Sequence, residues 1–159
     1  MSLAFGVLSI LGAKGAEKKD VDNSPKVIGI GGIFFLSEEP AKVTQWYVDN
    51  LGLKTDEYGG VFDFNLGADS SKFNEMRWNA FAKTSKYLEP SKSNFMINYK
   101  VRNIEGIIEK MKANGAQIVD EMETYDFGKF IHVLDSDGNK IELWEPNYDA
   151  EKKKDWETK

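Results

Sequence analysis

Two short runs near the C-terminal end of this chain alternate between apolar and polar positions, and they define its clearest element. Residues 130–134 and 140–146 each have the two-residue period of a half-buried strand, and Asp137, Gly138 and Asn139 between them tolerate positive φ. The pattern predicts a β-hairpin. A turn centred on Asp137 sets His132 directly opposite Glu142, and opposed residues point to the same side of the sheet. One face is aliphatic, with Ile131, Val133, Ile141 and Leu143. The other carries the chain's single histidine beside a carboxylate, flanked by Phe130 and Trp144.

Upstream, the pattern predicts a strand over 27–36, interrupted by Gly29, Gly31 and Gly32, which mark a bulge or a close approach. A helix follows, with Ser37 as its cap and acidic residues in its first turn. Val43, Trp46, Tyr47 and Leu51 keep helical spacing, and Gly52 ends it. Strands are expected around 54–57, 61–66 and 75–82. The pattern then repeats: a strand over 95–101, a helix over 104–113 stopped by Asn114-Gly115, a strand over 117–122, and the hairpin. This is an α+β chain of two tandem β-α-β-β-β modules, about 27–83 and 94–148, within a domain spanning 25–148. The linker, 84–93, is polar and carries Tyr87 and Pro90; residues 1–24 form a leader and 149–159 a charged tail.

Composition narrows the function classes. Of the 159 residues 41% are hydrophobic and 13% aromatic, enough for a packed interior, and the net charge is −5. Acidic balance argues against nucleic-acid binding, since the run Lys152-Lys153-Lys154 is followed at once by Asp155 and Glu157. With no cysteine, disulfides, thiolate metal sites and cysteine nucleophiles are excluded. The apolar leader from Leu3 to Leu11 is too short to span a bilayer. It reads as a truncated export signal, a helix packed on the domain or a partner, or a disordered tail. The compartment stays open between the cytoplasm and export.

The segment Asp135-Ser-Asp-Gly-Asn-Lys-Ile-Glu-Leu-Trp-Glu-Pro146 resembles the ending Asp-Pro-x-Gly-Asn-x-Ile-Glu-Leu of the vicinal oxygen chelate superfamily, with Ser136 in place of the proline. This superfamily includes glyoxalase I, extradiol dioxygenases and bleomycin-binding proteins. Trp46-Tyr-Val-Asp-Asn-Leu-Gly52 looks like its first-helix phrase. Gly29-Ile-Gly-Gly-Ile-Phe-Phe35, Phe95-Met-Ile-Asn-Tyr99 and Ile141-Glu-Leu-Trp-Glu-Pro146 resemble a bacterial glyoxalase-like subgroup. The resemblance covers about 27–146. It implies a mixed sheet closed into a cup and, commonly, a homodimer, although one chain can close its own cup. In metal-dependent relatives the ligands come from the first and last strands of each module. Aligned by motif, those positions are Gly32, Trp78, Met96 and Glu142, of which only Glu142 suits a hard or borderline divalent ion. A catalytic metal needs about three protein ligands. The expectation is therefore no metal and no other cofactor.

Glu142 and His132 are the candidate catalytic pair, and Phe34, Trp78, Met96, Asn98, Phe130 and Trp144 the candidate substrate-binding residues. Each has a plainer reading. Glu142 is a pocket carboxylate or a fold marker held by hydrogen bonds. His132 is its proton-transfer partner or a ring stacked on Phe130 and Trp144. Asn98 orients a ligand or ties strand to loop, and the aromatic residues are stacking walls or core. Gly31 and Gly32 clear the cup floor or form a bulge, while Asp120, Glu121 and Glu123 read as a solvated acidic patch. The leading expectation is a protein that binds a small organic molecule in an aromatic cup without a metal. The alternatives are a glyoxalase I-like lyase or isomerase with an altered metal-ligand set, and a non-catalytic interaction module whose cup is filled by its own side chains.

Overall fold

The computed structural model describes residues 22–64 and 75–147. The leader up to residue 21, the end of the strand expected at 61–66, and the tail lie outside the described residues. The first module comprises β1 (Lys26–Ser37), α1 (Pro40–Leu51), β2 (Lys54–Asp56), β3 (Gly59–Asp63) and β4 (Glu75–Ala82). The second comprises β5 (Phe95–Arg102), α2 (Ile104–Ala113), β6 (Glu123–Tyr125), β7 (Gly128–Leu134) and β8 (Lys140–Pro146). All eight strands join one mixed sheet in the order β2-β3-β4-β1-β5-β8-β7-β6. The modules meet at the antiparallel pair of β1 and β5. Beyond that pair, β4 runs parallel to β1 and β8 parallel to β5. Among the described residues no helix is long and apolar enough to cross a membrane.

Both helices cover one face. On α2, Ile104 and Ile108 pack with Val101, Ile131, Val133 and Leu143, the aliphatic side of the hairpin. On α1, Val43 and Tyr47 pack against Leu53, Trp78 and Ala80, yet no residue of that helix is fully buried. Gly52 ends α1 at φ 66°, where its N–H reaches back to the carbonyls of Tyr47 and Val48. At the other end β1 continues through Ser37, so the cap position falls to Glu39. Ser37 Oγ accepts only from the Glu39 N–H, and the expected acidic residues precede the first turn instead of lying in it.

The hairpin register is the one the turn predicts, with His132 opposite Glu142 and Phe130 opposite Trp144. The strand expected at 117–122 is reduced to a single bridge between Ile118 and Val133. Its ladder stops because the Asp120 carboxylate accepts the His132 backbone N–H, which a continuing strand would have bonded through its backbone. Pairing resumes at β6, on the edge.

Candidate functional site

The helix-free face gathers the polar chemistry. Parallel pairing puts Asn98 beside Glu142 on β5 and β8, and the hairpin adds His132 on β7. Glu142 is 4% exposed. Its Oε1 accepts from Asn98 Nδ2 at 2.6 Å and its Oε2 from the Tyr87 hydroxyl at 2.5 Å. His132 Nε2 lies 3.0 Å from Oε2, close enough for charge attraction but without the angle of a good hydrogen bond. On its far side, Nδ1 of the imidazole meets Asp120 Oδ2 at 2.6 Å. Asp120 thus holds both the ring and the backbone N–H of His132.

Burial alone would raise the Glu142 carboxyl. The contacts from His132, Tyr87 and Asn98 outweigh it and hold the group below its usual range. Tyr87 moves the opposite way. Burial first, then the charge on Glu142 and the bond to it, push the phenol far above its ordinary value. Tyr87 therefore keeps its proton and serves Glu142 as a hydrogen-bond donor. Lys140, two residues nearer the turn than Glu142 and on the same face, donates to the Tyr87 carbonyl at 2.6 Å and lies 5.2 Å from its ring centroid. Burial pulls this ammonium below its usual value.

Aromatic rings surround the group. Phe130 and Trp144 stack at 5.8 Å, and Phe130 meets Tyr125 and Phe127 of the edge hairpin edge to face. Lys100 is buried on the same face, 5.3 Å from the Trp144 ring. On the first module's side Phe34 and Phe81 meet edge to face at 5.9 Å, and Phe81 lies 5.0 Å from Tyr87.

The register places six of the eight candidate positions on this face: Glu142, His132, Asn98, Met96, Phe130 and Trp144. Phe34, across from Met96, joins them. Trp78 does not. It pairs with Ile33 and packs under α1 with Tyr47 and Phe35, so it belongs to the core of the helix-bearing face. On β4, Arg77 and Asn79 stand opposite Gly32 and Phe34, and Phe81 follows on the same face. Asn98, rather than Met96, lies across from Gly32 and next to Glu142.

Two site residues escape the sequence reading. Tyr87 comes from the linker, where no periodicity marks a residue as inward-facing. Asp120 reads as surface charge, and nothing in its local pattern pairs it with His132. Gly31 lies at a bulge between Ile30 and Gly32, and a Cβ there would overlap the side-chain amide oxygen of Asn98 and come within 3.0 Å of Trp144. Both readings of that glycine hold together: the bulge is what makes the space.

Among the described residues, no group of three or more His, Asp or Glu side chains is arranged to hold a metal ion. Both Glu142 oxygens already accept from protein donors, and Gly32 offers no side-chain ligand atom. The residues present do not fit the family's divalent ion.

Comparison with known proteins agrees with this architecture. Among solved structures, methylmalonyl-CoA epimerase from Mycobacterium tuberculosis superposes with a TM-score of 0.57 at 14% identity, over 80% of this chain and 94% of that one. A variant of Streptomyces coelicolor methylmalonyl-CoA epimerase, in complex with 2-nitronate-propionyl-CoA, gives 0.56 at 13% identity, over 76% and 99%. The Mn(II)-bound glyoxalase from Novosphingobium aromaticivorans gives 0.51 at 14%, over 76% of this chain and 40% of that one. At these identities the likeness is one of fold. No curated protein matches the chain in sequence. A family model does match, over residues 29–143, from the bulged first strand to the hairpin that carries Glu142. With that match spanning both modules, the chain belongs to the Glyoxalase/Bleomycin resistance protein/Dioxygenase superfamily.

Proposed function

We propose that this protein binds a small organic molecule on the helix-free face, without the metal centre used by other members of its superfamily. Glu142 is the polar anchor, Asn98 and His132 orient it, and Phe34, Met96, Phe130 and Trp144 supply apolar contact. The observation that carries the reading is the setting of the Glu142 carboxylate, which accepts from Tyr87 and Asn98 and faces the His132 ring. A catalytic metal needs about three protein ligands, and none of Gly32, Trp78 and Met96 at the family's other ligand positions joins this carboxylate as a hard donor. Ligand pockets join apolar walls to a few convergent polar groups, which is the mixture found here.

The test combines elemental analysis with a thermal-shift screen of the full chain. The purified protein is expected to carry well under one equivalent of Ni, Zn or Mn. At least one small planar compound is expected to raise the melting temperature, and Glu142→Gln is expected to cut its affinity about tenfold or more while leaving the fold intact. About one tightly held metal per chain, or an unchanged affinity in the variant, would overturn the assignment.

A second reading is favoured by one specific feature, the line Asp120–His132–Glu142. An imidazole placed between two carboxylates is suited to moving a proton. In a lyase or isomerase Glu142 would take the substrate proton with His132 as its partner. Turnover of a substrate lost in both Glu142→Gln and His132→Gln would separate this from simple binding.

The superfamily's habit of pairing also makes a homodimer the expected assembly. Apolar side chains left exposed on the helix-bearing face support it.

A further inference from the structure

Tyr87 belongs to neither sheet ladder nor helix, yet its side chain reaches polar, aromatic and cationic groups on the helix-free face. Its hydroxyl donates to Glu142 Oε2. Its ring stands edge-on to His132 at 5.5 Å and 89°, and to Phe34 at 6.5 Å and 67°. It tilts against Phe81 at 5.0 Å and 31°, and the Lys140 ammonium lies over it. Every contact expected of a bound planar hydroxyl compound is present: one strong acceptor, aromatic edges, and a cation over the ring. Tyr87 is nevertheless 36% exposed, whereas its neighbour Leu88 is 2% exposed and anchors the segment. Tyr87 is therefore not sealed into the face, while buried Leu88 holds the backbone beside it.

We infer that the Tyr87 phenol is a resident stand-in for the ligand at Glu142, and that the seat accepts a small phenol or similar planar hydroxyl compound in its place. The inference rests on the proposed binding role of this face and names the chemistry of what is bound. A tethered group competes at a high effective concentration, on the order of millimolar for a short flexible link, so a free ligand binds the native chain more weakly than it binds the emptied seat. The hydroxyl is the discriminating group. A methyl ether in the same place would leave a buried carboxylate oxygen without its donor, a loss of roughly tenfold or more in affinity.

The test uses p-cresol and 4-methylanisole as probes, titrated calorimetrically into the full chain and its Tyr87→Ala variant. We expect p-cresol to bind Tyr87→Ala at least tenfold more tightly than wild type, and at least tenfold more tightly than the ether binds the same variant. Equal affinity for phenol and ether in a folded Tyr87→Ala protein would overturn the inference, as would equal p-cresol affinity in variant and wild type. Should Tyr87→Ala not fold, Tyr87→Phe keeps the ring and loses only the donor. It is expected to bind p-cresol several-fold more tightly than wild type, and no gain would overturn the stand-in. A compound found in the wild-type screen that binds wild type and Tyr87→Phe equally well would sink the stand-in alone and leave the binding role standing.

Discussion

A missing methyl group decides the geometry of the Glu142 carboxylate. Gly31 has no left-handed φ, so glycine is needed there for space and not for backbone freedom. Its absent Cβ makes room for the Asn98 amide, whose nitrogen is thereby aimed at Glu142 Oε1. Gly31→Ala should push this amide aside and cost about 1–3 kcal/mol, the usual range for overfilling a packed site. The loss should fall by half or more when Asn98→Ala is already present, because the overlapping atom is then gone. Denaturant unfolding of the two single variants and the double variant measures that coupling. An undiminished cost in the Asn98→Ala background would mean that Gly31 serves the bulge itself and not the amide.

At the scale of elements, β8 serves both faces of the sheet at once. Glu142 points to the site, while the Glu145 carboxylate reaches the start of α2, accepting from the backbone N–H of Asn103 at 2.5 Å and of Ile104 at 3.3 Å. The helix needs this, because its cap residue Asn103 sits at φ 55° and its own side chain satisfies only the Gly106 N–H. Glu145→Ala should therefore destabilise the fold by about 1–2 kcal/mol through loss of a charged cap, with ligand binding at Glu142 unchanged. Loss of binding in step with stability would instead show the helix start and the site to be coupled. The contrast between these elements and the linker explains what the sequence could reveal. The hairpin was legible because alternation and turn chemistry together fix register, and register put His132 against Glu142. Trp78 was misplaced because β1 pairs with β4 one residue further along the chain, Gly32 with Arg77, than β5 pairs with β8, Asn98 with Glu142, and one residue exchanges the faces of a strand. Tyr87 had no such code to betray it. Its role depends on where a nonperiodic segment is laid down by the two modules it joins.

For the molecule as a whole, the two modules are unequally finished. The second buries a continuous cluster from Val101 to Leu143, whereas α1 of the first buries no residue completely and leaves Trp46 and Leu51 exposed. Between the helices, Val27, Ile30 and Ile33 on β1 and Phe95 on β5 share the helix-bearing face, since they pair with Val101, Tyr99, Ile97 and Phe35. Ile30 is 47% and Phe95 50% exposed. Scattered apolar residues on a surface need no explanation, but a contiguous row on adjacent strands favours a partner. A second copy of the chain is the simplest one, because a two-fold axis would set the same row against itself. A stable pair would need to bury at least about 1,200 Å² in total, which the row and the exposed side of α1 together can contribute to. Light scattering on the eluting protein at micromolar concentration should give twice the chain mass, and Ile30→Glu combined with Phe95→Glu should return it to the single chain mass with the fold retained. Since the row lies on the opposite face of the sheet from Glu142, the same double variant should bind small molecules as wild type does. A wild-type chain that elutes at the single mass over a tenfold concentration range would reject the pairing. A double variant that becomes monomeric and also loses its ligand would mean that the partner copy shapes the site through the sheet.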